Sequence, residues 1–118
     1  MALIAGNGDL KIVQGSTWEQ PIYFPSLVDL SVTGLDAELT ISKCTDEQIK
    51  LNTGNGKIVI DSVNNKLDCY LTWEETKRFT RDGTWKIELI YPAVDLVPEE
   101  KFCYGTGQII VKFDITEV

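Results

Sequence analysis

The sequence predicts an all-β protein, an antiparallel two-sheet β-sandwich with one short helix near residues 73–79. Two observations lead to this fold class. Val, Ile and Thr number 9, 12 and 11 of the 118 residues, and these branched side chains favour pleated strands. Short segments also alternate apolar and polar residues with a period of two, which places one strand face in a core and the other in solvent.

The clearest alternation runs through residues 35–42, where Leu35, Leu39 and Ile41 share one face. The same pattern recurs in 67–71, 85–91 and 109–115. Further strands are predicted at 10–14, 18–24, 48–51 and 57–61.

Prolines and turn residues mark the connections. Pro21 and Pro25 make the strand at 18–24 an edge strand or a broken one, because proline cannot donate a hydrogen bond to a ladder. Asn64-Asn65 predicts a hairpin. The polar segment 92–101, flanked by proline, predicts a long mobile loop; other turns are expected at Gly54-Asn55-Gly56 and Asp82-Gly83.

One helical signal follows the segment 67–71. Thr72-Trp73-Glu74-Glu75 fits a capping box in which Thr72 is the N-cap and Glu75 the third helical residue. Lys77 and Arg78 would complement the last turn, and Asp82-Gly83 would end the helix after about two turns.

Length and charge limit the protein class. We expect one β-sandwich domain over residues 1–118, with 1–10 free to form an N-terminal arm. The chain has 11 Lys and Arg against 18 Asp and Glu, a net charge of −7. This acidity argues against nucleic acids and membranes as partners, because both carry negative charge. No secretory signal or membrane-spanning stretch is visible, so synthesis in the cytoplasm is expected.

The residue types needed for common catalytic sites are absent or badly spaced. With no histidine in the chain, Ser-His-Asp and Cys-His catalysis and histidine metal sites are excluded. Cys44, Cys69 and Cys103 are odd in number and widely spaced, which predicts free thiols. We expect no catalytic, cofactor-binding or metal-binding residues and no enzymatic activity; hydrolysis by the remaining polar side chains is the weakest hypothesis.

Two polar sets have alternative interpretations. One predicted hairpin carries four side chains that could supply oxygen ligands to calcium: Asp61, Asn64, Asn65 and Asp68. Turn formation is favoured, because their spacing matches no EF-hand.

Adjacent carboxylates are expected on solvated faces, since a glycosidase needs two opposed carboxylates across a cleft. These pairs are Asp46-Glu47, Glu74-Glu75 and Glu99-Glu100.

Aromatic side chains suggest a second function, a carbohydrate- or host-receptor-binding β-sandwich module. Trp18, Trp73, Trp85, Tyr23 and Tyr104 could form a platform that stacks on sugars. Trp85 has the core parity of its strand, and Trp73 is expected to attach the short helix to the sheet. Trp18 and Tyr104 are the expected exposed aromatics.

Two series of residues resemble known proteins. Asp82-Gly83-Thr84-Trp85-Lys86-Ile87 resembles the corner before the penultimate strand of immunoglobulin-like domains, without their paired cysteines. A longer ordered series over residues 12–116 is similar to small virion structural proteins of tailed bacteriophages, which carry an immunoglobulin-like or baseplate-type β-sandwich. It includes Ile12-Val13-Gln14-Gly15-Ser16-Thr17-Trp18, Leu30-Ser31-Val32-Thr33-Gly34-Leu35-Asp36-Ala37, Gly54-Asn55-Gly56-Lys57-Ile58-Val59-Ile60-Asp61, Gly83-Thr84-Trp85 and Asp114-Ile115-Thr116.

The resemblance implies a virion structural protein of the tail, baseplate or neck, or a capsid decoration, that acts through protein–protein contacts. It implies other virion proteins as partners, a homo-oligomer or symmetric assembly, and a location in the virion after synthesis in the host cytoplasm. Docking would use strand edges or loops, with 92–104 and the arm 1–10 as candidate segments.

Overall fold

The computed structural model describes residues 3–4 and 7–113, and within them the chain forms nine strands and one short helix. The elements are β1 (Leu3–Ile4), β2 (Asn7–Val13), β3 (Trp18–Tyr23), β4 (Asp36–Ser42), β5 (Ile49–Asn52), β6 (Ile58–Asp61), β7 (Lys66–Leu71), α1 (Trp73–Thr76), β8 (Gly83–Tyr91) and β9 (Glu100–Lys112).

The strands form two sheets, and the predicted β-sandwich is confirmed. One sheet has the strand order β1-β3-β7-β6 and the other the order β2-β9-β8-β4-β5. The alternating apolar residues of both sheets are buried together in one cluster, as their parity requires. Its largest fully buried side chains include Trp85, Phe79, Leu10, Ile22, Leu39, Leu67 and Ile87.

The N-terminal strands depart from the predicted antiparallel arrangement. All pairs among β3 to β9 are antiparallel, whereas β1 runs parallel to β3 and β2 runs parallel to β9. Alternation of apolar residues is the same for both strand directions, so the sequence pattern does not distinguish them. Neither β1 nor β2 is joined to its partner by a hairpin, and a parallel pairing is therefore sterically open to them.

The predicted N-terminal arm is not a free segment over its described residues. Leu3–Ile4 pairs with Ile22 and Tyr23, and Asn7–Val13 pairs with residues 106–112 of β9. The first strand pairing lies in one sheet and the second in the other. The beginning of the chain therefore contributes an edge to each sheet.

The prediction that Pro21 makes its strand an edge strand or a broken one is wrong for β3 as a whole, because β3 is continuous and lies between β1 and β7 in its sheet. Among the described residues, β1 pairs with β3 only at Ile22 and Tyr23, and the stretch from Trp18 to Pro21 pairs with β7. Pro21 itself needs no hydrogen-bond acceptor, because it has no N–H group.

The predicted loop 92–101 after β8 is shorter at its end, because Glu100 and Lys101 belong to β9. β9 begins at Glu100, and Tyr91 pairs with Glu100, Ile90 with Lys101 and Leu89 with Phe102. Only residues 92–99 lie outside the two strands, and even these contain a β-bridge between Val94 and Val97. Pairing with β8 therefore places Glu100 and Lys101 in a strand, whereas 92–99 form a loop closed by the bridge between Val94 and Val97.

The short helix has the predicted capping box but ends earlier than expected. The Thr72 hydroxyl accepts from the N–H of Glu75 at 3.2 Å, and the Glu75 carboxylate accepts from the N–H of Thr72 at 2.9 Å. The helix ends at Thr76 after one turn. Its predicted attachment through Trp73 is wrong, since that side chain is half exposed; Thr76 and Phe79 are buried instead.

Candidate interaction surface

A docking strand would need a free sheet edge, and the outer edge of β5 is occupied by a side chain. Asn55 Nδ2 donates to the carbonyl oxygen of Lys50 at 3.0 Å, and Asn55 Oδ1 accepts from the N–H of Asn52 at 3.1 Å. These are the two bonds that a neighbouring strand would make. Asn55 therefore takes the place of an added strand and protects this edge.

The outer edge of β2 is also partly occupied. The indole Nε1 of Trp18 donates to the carbonyl oxygen of Lys11 at 3.1 Å. The N–H of Ser16 donates to the carbonyl oxygen of Val13 at 3.1 Å, within the turn that leads to β3. Two carbonyl groups in the second half of β2 are thus unavailable to an incoming strand.

The remaining edges are short. In the described part of the chain, β1 pairs with β3 at Ile22 and Tyr23 and does not extend to Pro21, and β6 has four residues, Ile58–Asp61. Proline and shortness are both features that discourage edge pairing. Strand addition, one of the two predicted docking modes, is therefore poorly supported along the described edges.

The other predicted segment, 92–104, belongs to the long β8–β9 hairpin. A bulge between Ile87 and Glu88 inserts Tyr104 opposite them, because Ile87 pairs with Gly105 and Glu88 with Cys103. A β-bulge increases local twist and redirects the strands beyond it. The distal part of the hairpin starts at this bulge.

Aromatic rings attach the distal hairpin to the body of the sandwich. The ring centroids of Tyr91 and Phe102 are 5.9 Å apart, those of Phe102 and Tyr104 6.3 Å, and those of Tyr104 and buried Phe24 5.7 Å. The Tyr91 hydroxyl also donates to the carbonyl oxygen of Asp29 at 3.4 Å. Edge-to-face contacts of this kind hold the hairpin at a defined angle.

The tip of the hairpin is a closed two-residue turn. The N–H of Val94 donates to the carbonyl oxygen of Val97 at 2.9 Å, and the N–H of Val97 donates back to Val94 at 2.8 Å. Asp95 and Leu96 form the turn, and Asp95 has the left-handed φ of 50°, a conformation that Asp tolerates better than most residues. The tip therefore has a defined conformation.

The tip presents apolar side chains to solvent. Leu96 is 98% exposed, and Val94 and Val97 are each more than half exposed. Phe102, on the neighbouring strand, is 43% exposed. We call Val94, Leu96 and Val97 the tip patch. The other exposed large apolar residues lie on other elements, and Val59 and Tyr70 among them line one groove: Val13, Leu27, Val59, Val63, Tyr70, Trp73 and Phe113.

Three exposed carboxylates lie close in sequence to the tip patch. Asp95 lies in the turn, and Glu99 and Glu100 lie at the start of β9, all with exposed side chains. Lys101 is the one basic residue in the segment 92–104. The tip thus combines an apolar centre with an acidic rim.

The aromatic residues predicted to form a sugar platform do not share a surface. Trp18 is only 6% exposed and Trp85 is buried, so neither can stack on a ligand. The predicted exposure of Trp18 is therefore wrong, because its indole bonds to β2 as described above. Tyr104 is half-buried against Phe24, and Tyr23 lies beside Lys66 on the other sheet.

The residues predicted as possible calcium ligands act in turns and ion pairs. Asp61 accepts from the N–H and the side-chain Nδ2 of Asn64 at 3.1 and 2.8 Å. Asn65 Nδ2 donates to the carbonyl oxygens of Phe24 and Pro25. Asp68 pairs with Lys66 at 3.2 Å. Among the described residues, no group of three or more Cys, Asp or Glu is placed to hold a metal ion.

The outer faces of the two sheets carry shallow grooves. One, of about 430 Å³, is lined mainly by hydroxyl and amide residues with Lys86, and the other, of about 360 Å³, lies beside Lys57 and Tyr70.

Glu38 and Glu88 stand directly opposite each other on the outer face of the five-stranded sheet. Each forms an ion pair with a lysine: Glu38 with Lys50 at 3.8 Å and Glu88 with Lys86 at 3.7 Å. This carboxylate pair is separated in sequence, which is why adjacent-residue patterns did not identify it.

The thiols are free, as predicted. Cys44 and Cys69 are buried and Cys103 is exposed. Burial, reinforced by Asp82, raises the pKa of the Cys44 thiol to about 11, and burial beside Asp68 raises the pKa of Cys69 to about 12. Both buried thiols therefore remain protonated near neutral pH.

No helix in the described part of the chain is long and apolar enough to cross a membrane.

Comparison with known proteins supports the fold. No protein-family model matches the chain, and no curated protein matches it. Among solved structures, the chain is similar to the N-terminal domain of phage TP901-1 ORF48. The TM-score is 0.61, the sequence identity is 12%, and the match covers 94% of each chain. The likeness extends over the complete sandwich rather than one motif.

The tip patch is the feature that sequence reasoning located only coarsely. The acidic residues and prolines of 92–104 predict an exposed loop but do not mark the apolar residues at its centre. The available signal was the Val94-Asp95-Leu96-Val97 tetrad between Pro92 and Pro98. Apolar residues at the centre of a proline-bounded turn have no core to enter.

Proposed function

We propose that this chain is a bacteriophage virion structural protein, of the baseplate type in its fold, that acts through protein–protein contacts and has no enzymatic activity. The observation that carries the proposal is the similarity over 94% of both chains to a phage protein domain. The ordered series of residues resembling small virion proteins supports it independently. Within the virion, the candidate positions are the tail, the baseplate, the neck and the outside of the capsid.

The strand order supports the immunoglobulin-like assignment within this proposal. The order β3-β7-β6 corresponds to strands B, E and D of an immunoglobulin domain, and β9-β8-β4-β5 corresponds to G, F, C and C′. The N-terminal strands differ from that pattern, because β1 lies at the position of strand A but runs parallel to β3, and β2 adds a parallel strand beside β9. Trp85 on β8 then occupies the penultimate strand, where the sequence series placed it. Such domains present loops and edges to neighbours while the sandwich stays rigid.

The function is tested by deleting the gene from the phage genome that carries it and analysing the purified particles. We expect particles from the intact phage to contain the chain, and particles from the deletion to have altered composition or assembly. Immunogold labelling would then locate it on the tail, the neck or the capsid. Unchanged particles that never contained the chain would refute the proposal.

A further inference from the structure

We propose that the tip patch of the β8–β9 hairpin is the docking knob of this chain, and that its partner is a virion protein with an apolar socket bordered by lysine and arginine. This inference rests on the proposed function, because it takes the partner from the same particle. It names the surface and the chemistry of the partner, which the fold similarity alone does not.

The geometry of the tip favours binding over a passive loop. Leu96 projects from a turn closed by two backbone hydrogen bonds, and it is 98% exposed. Pro92 and Pro98 flank this turn and limit the conformations of the free chain. Pro92 also lies against Gly34, where an added Cβ would stand 3.3 Å from the proline Cγ. A side chain presented by an ordered turn loses little conformational entropy on binding.

The charge around the tip selects the class of partner. Asp95, Glu99 and Glu100 form the rim, with Lys101 the one nearby base. A second copy of this chain would bring another acidic rim and a net charge of −7 into contact, which is unfavourable. A partner with basic residues around an apolar socket would complement both parts of the tip.

The main experiment compares two matched substitutions in the deletion phage, with the chain supplied from a plasmid. Leu96→Asp places a charge at the centre of the tip patch. Val63→Asp is the control, since Val63 is 91% exposed in the turn between β6 and β7. Copies of the chain per particle are measured by quantitative mass spectrometry. We expect Leu96→Asp to lower incorporation by about tenfold or more and the control to match wild type.

A second experiment tests the charge of the socket. Purified chain is mixed with particles from the deletion phage, and binding is measured by cosedimentation at about 50 and about 300 mM NaCl. We expect salt to weaken wild-type binding, and the triple variant Asp95→Asn/Glu99→Gln/Glu100→Gln to bind less and lose most of the salt dependence. The control triple is Asp46→Asn/Glu47→Gln/Glu74→Gln, which has the same charge change away from the tip. Circular dichroism and melting curves show whether each variant is folded.

The possible outcomes distinguish failure of the docking knob from failure of the proposed virion function. Normal incorporation of Leu96→Asp would overturn the docking knob and leave the virion assignment standing. Absence of the wild-type chain from particles would overturn both. Binding that strengthens after neutralisation of the rim would exclude a basic socket. A dimer of the purified chain that Leu96→Asp dissociates, measured by light scattering, would make the occupant a second copy and contradict the proposal.

Discussion

The indole Nε1 of Trp85 donates a hydrogen bond to the carbonyl oxygen of Gly8 at 3.0 Å, although β9 lies between their strands. Trp85 pairs with Gly107 of β9, and a Cβ on Gly107 would lie 1.9 Å from the Gly8 oxygen and 2.6 Å from the indole nitrogen. The absence of a side chain at Gly107 therefore lets β8 bond to the first long strand of the protein.

Replacement of Gly107 should be strongly destabilising. Gly107→Ala would force the backbone of β2 and the indole apart, and we expect the free energy of unfolding to fall by about 2–4 kcal/mol. Urea titration monitored by tryptophan fluorescence measures the change. Thr106→Ala, at the exposed neighbouring position, should change the stability by less than about 1 kcal/mol. Equal effects of the two substitutions would contradict this account of Gly107.

Because Asn55 protects the edge of β5, we expect Asn55→Ala and Asn55→Asp to differ in the amide exchange rates at that edge. Asn55→Ala removes the bonds to Lys50, Asn52 and Lys57, so we expect a loss of about 1–2 kcal/mol and faster amide exchange at Asn52 and Lys57. Asn55→Asp retains the acceptor oxygen and should keep those two amides protected. Hydrogen exchange followed by NMR gives both readouts.

Asn64→Ala is the matched control for the edge, because Asn64 is also a turn asparagine and bonds to Asp61. It should leave exchange at Asn52 unchanged. If the Ala and Asp variants at position 55 exchange alike at Asn52, the side chain does not act as a strand substitute.

The lowered pKa of Glu75 predicts that the stability of the protein depends on pH. Partial burial opposes ionisation, but the hydrogen bonds from Lys57 and Thr72 outweigh it and hold the pKa of Glu75 below its ordinary value of 4.5. In the window below pH 4.5 the unfolded chain binds more protons at this site than the folded chain. The stabilisation is therefore present above pH 4.5 and is lost as the pH falls through the folded-state pKa.

The variant Glu75→Gln isolates this contribution. We expect it to be less stable than wild type at pH 7, and the difference to shrink as the pH is lowered below 4.5. Thermal melting at several pH values measures the difference. Glu74→Gln, an exposed neighbour on the same helix, should show no such convergence. A difference that stays constant with pH would indicate a role unrelated to charge.

The thiols should react in two classes. Cys103 is exposed and should be modified first by a thiol reagent at pH 8, whereas Cys44 and Cys69 should react only after denaturation. Their raised pKa values also predict alkaline destabilisation, because the unfolded thiols ionise near pH 9 and the folded ones only at about 11 and about 12. Mass spectrometry of labelled protein counts the sites. Early labelling of Cys69 would show that the core opens locally.

Apolar alternation was sufficient to locate the sandwich strands. The segments around Leu39, Leu67 and Ile87 lie in strands whose bounds differ from the predictions by one or two residues. The capping box at Thr72 was equally local and is present. These features depend on side chains within a few residues of each other, and so they can be recognised without knowledge of the partners.

The pairings between distant segments required the tertiary structure. The parallel direction of β2, the extension of β9 back to Glu100 and the burial of Trp18 all depend on which strand lies alongside. The side-chain parity of a strand records which face is buried, but it contains no information about strand direction or about the neighbour that accepts its hydrogen bonds.

The sequence alone established an acidic, histidine-free β-sandwich and directed attention to the segment 92–104. Only the folded chain showed that this segment is a hairpin tip with Leu96 at its apex, because β8 and β9 must pair before Val94 and Val97 meet. The same pairing of β8 with β9 places Gly107 beneath Trp85. Contacts between residues distant in sequence thus determined which surfaces are closed and which remain open to a partner.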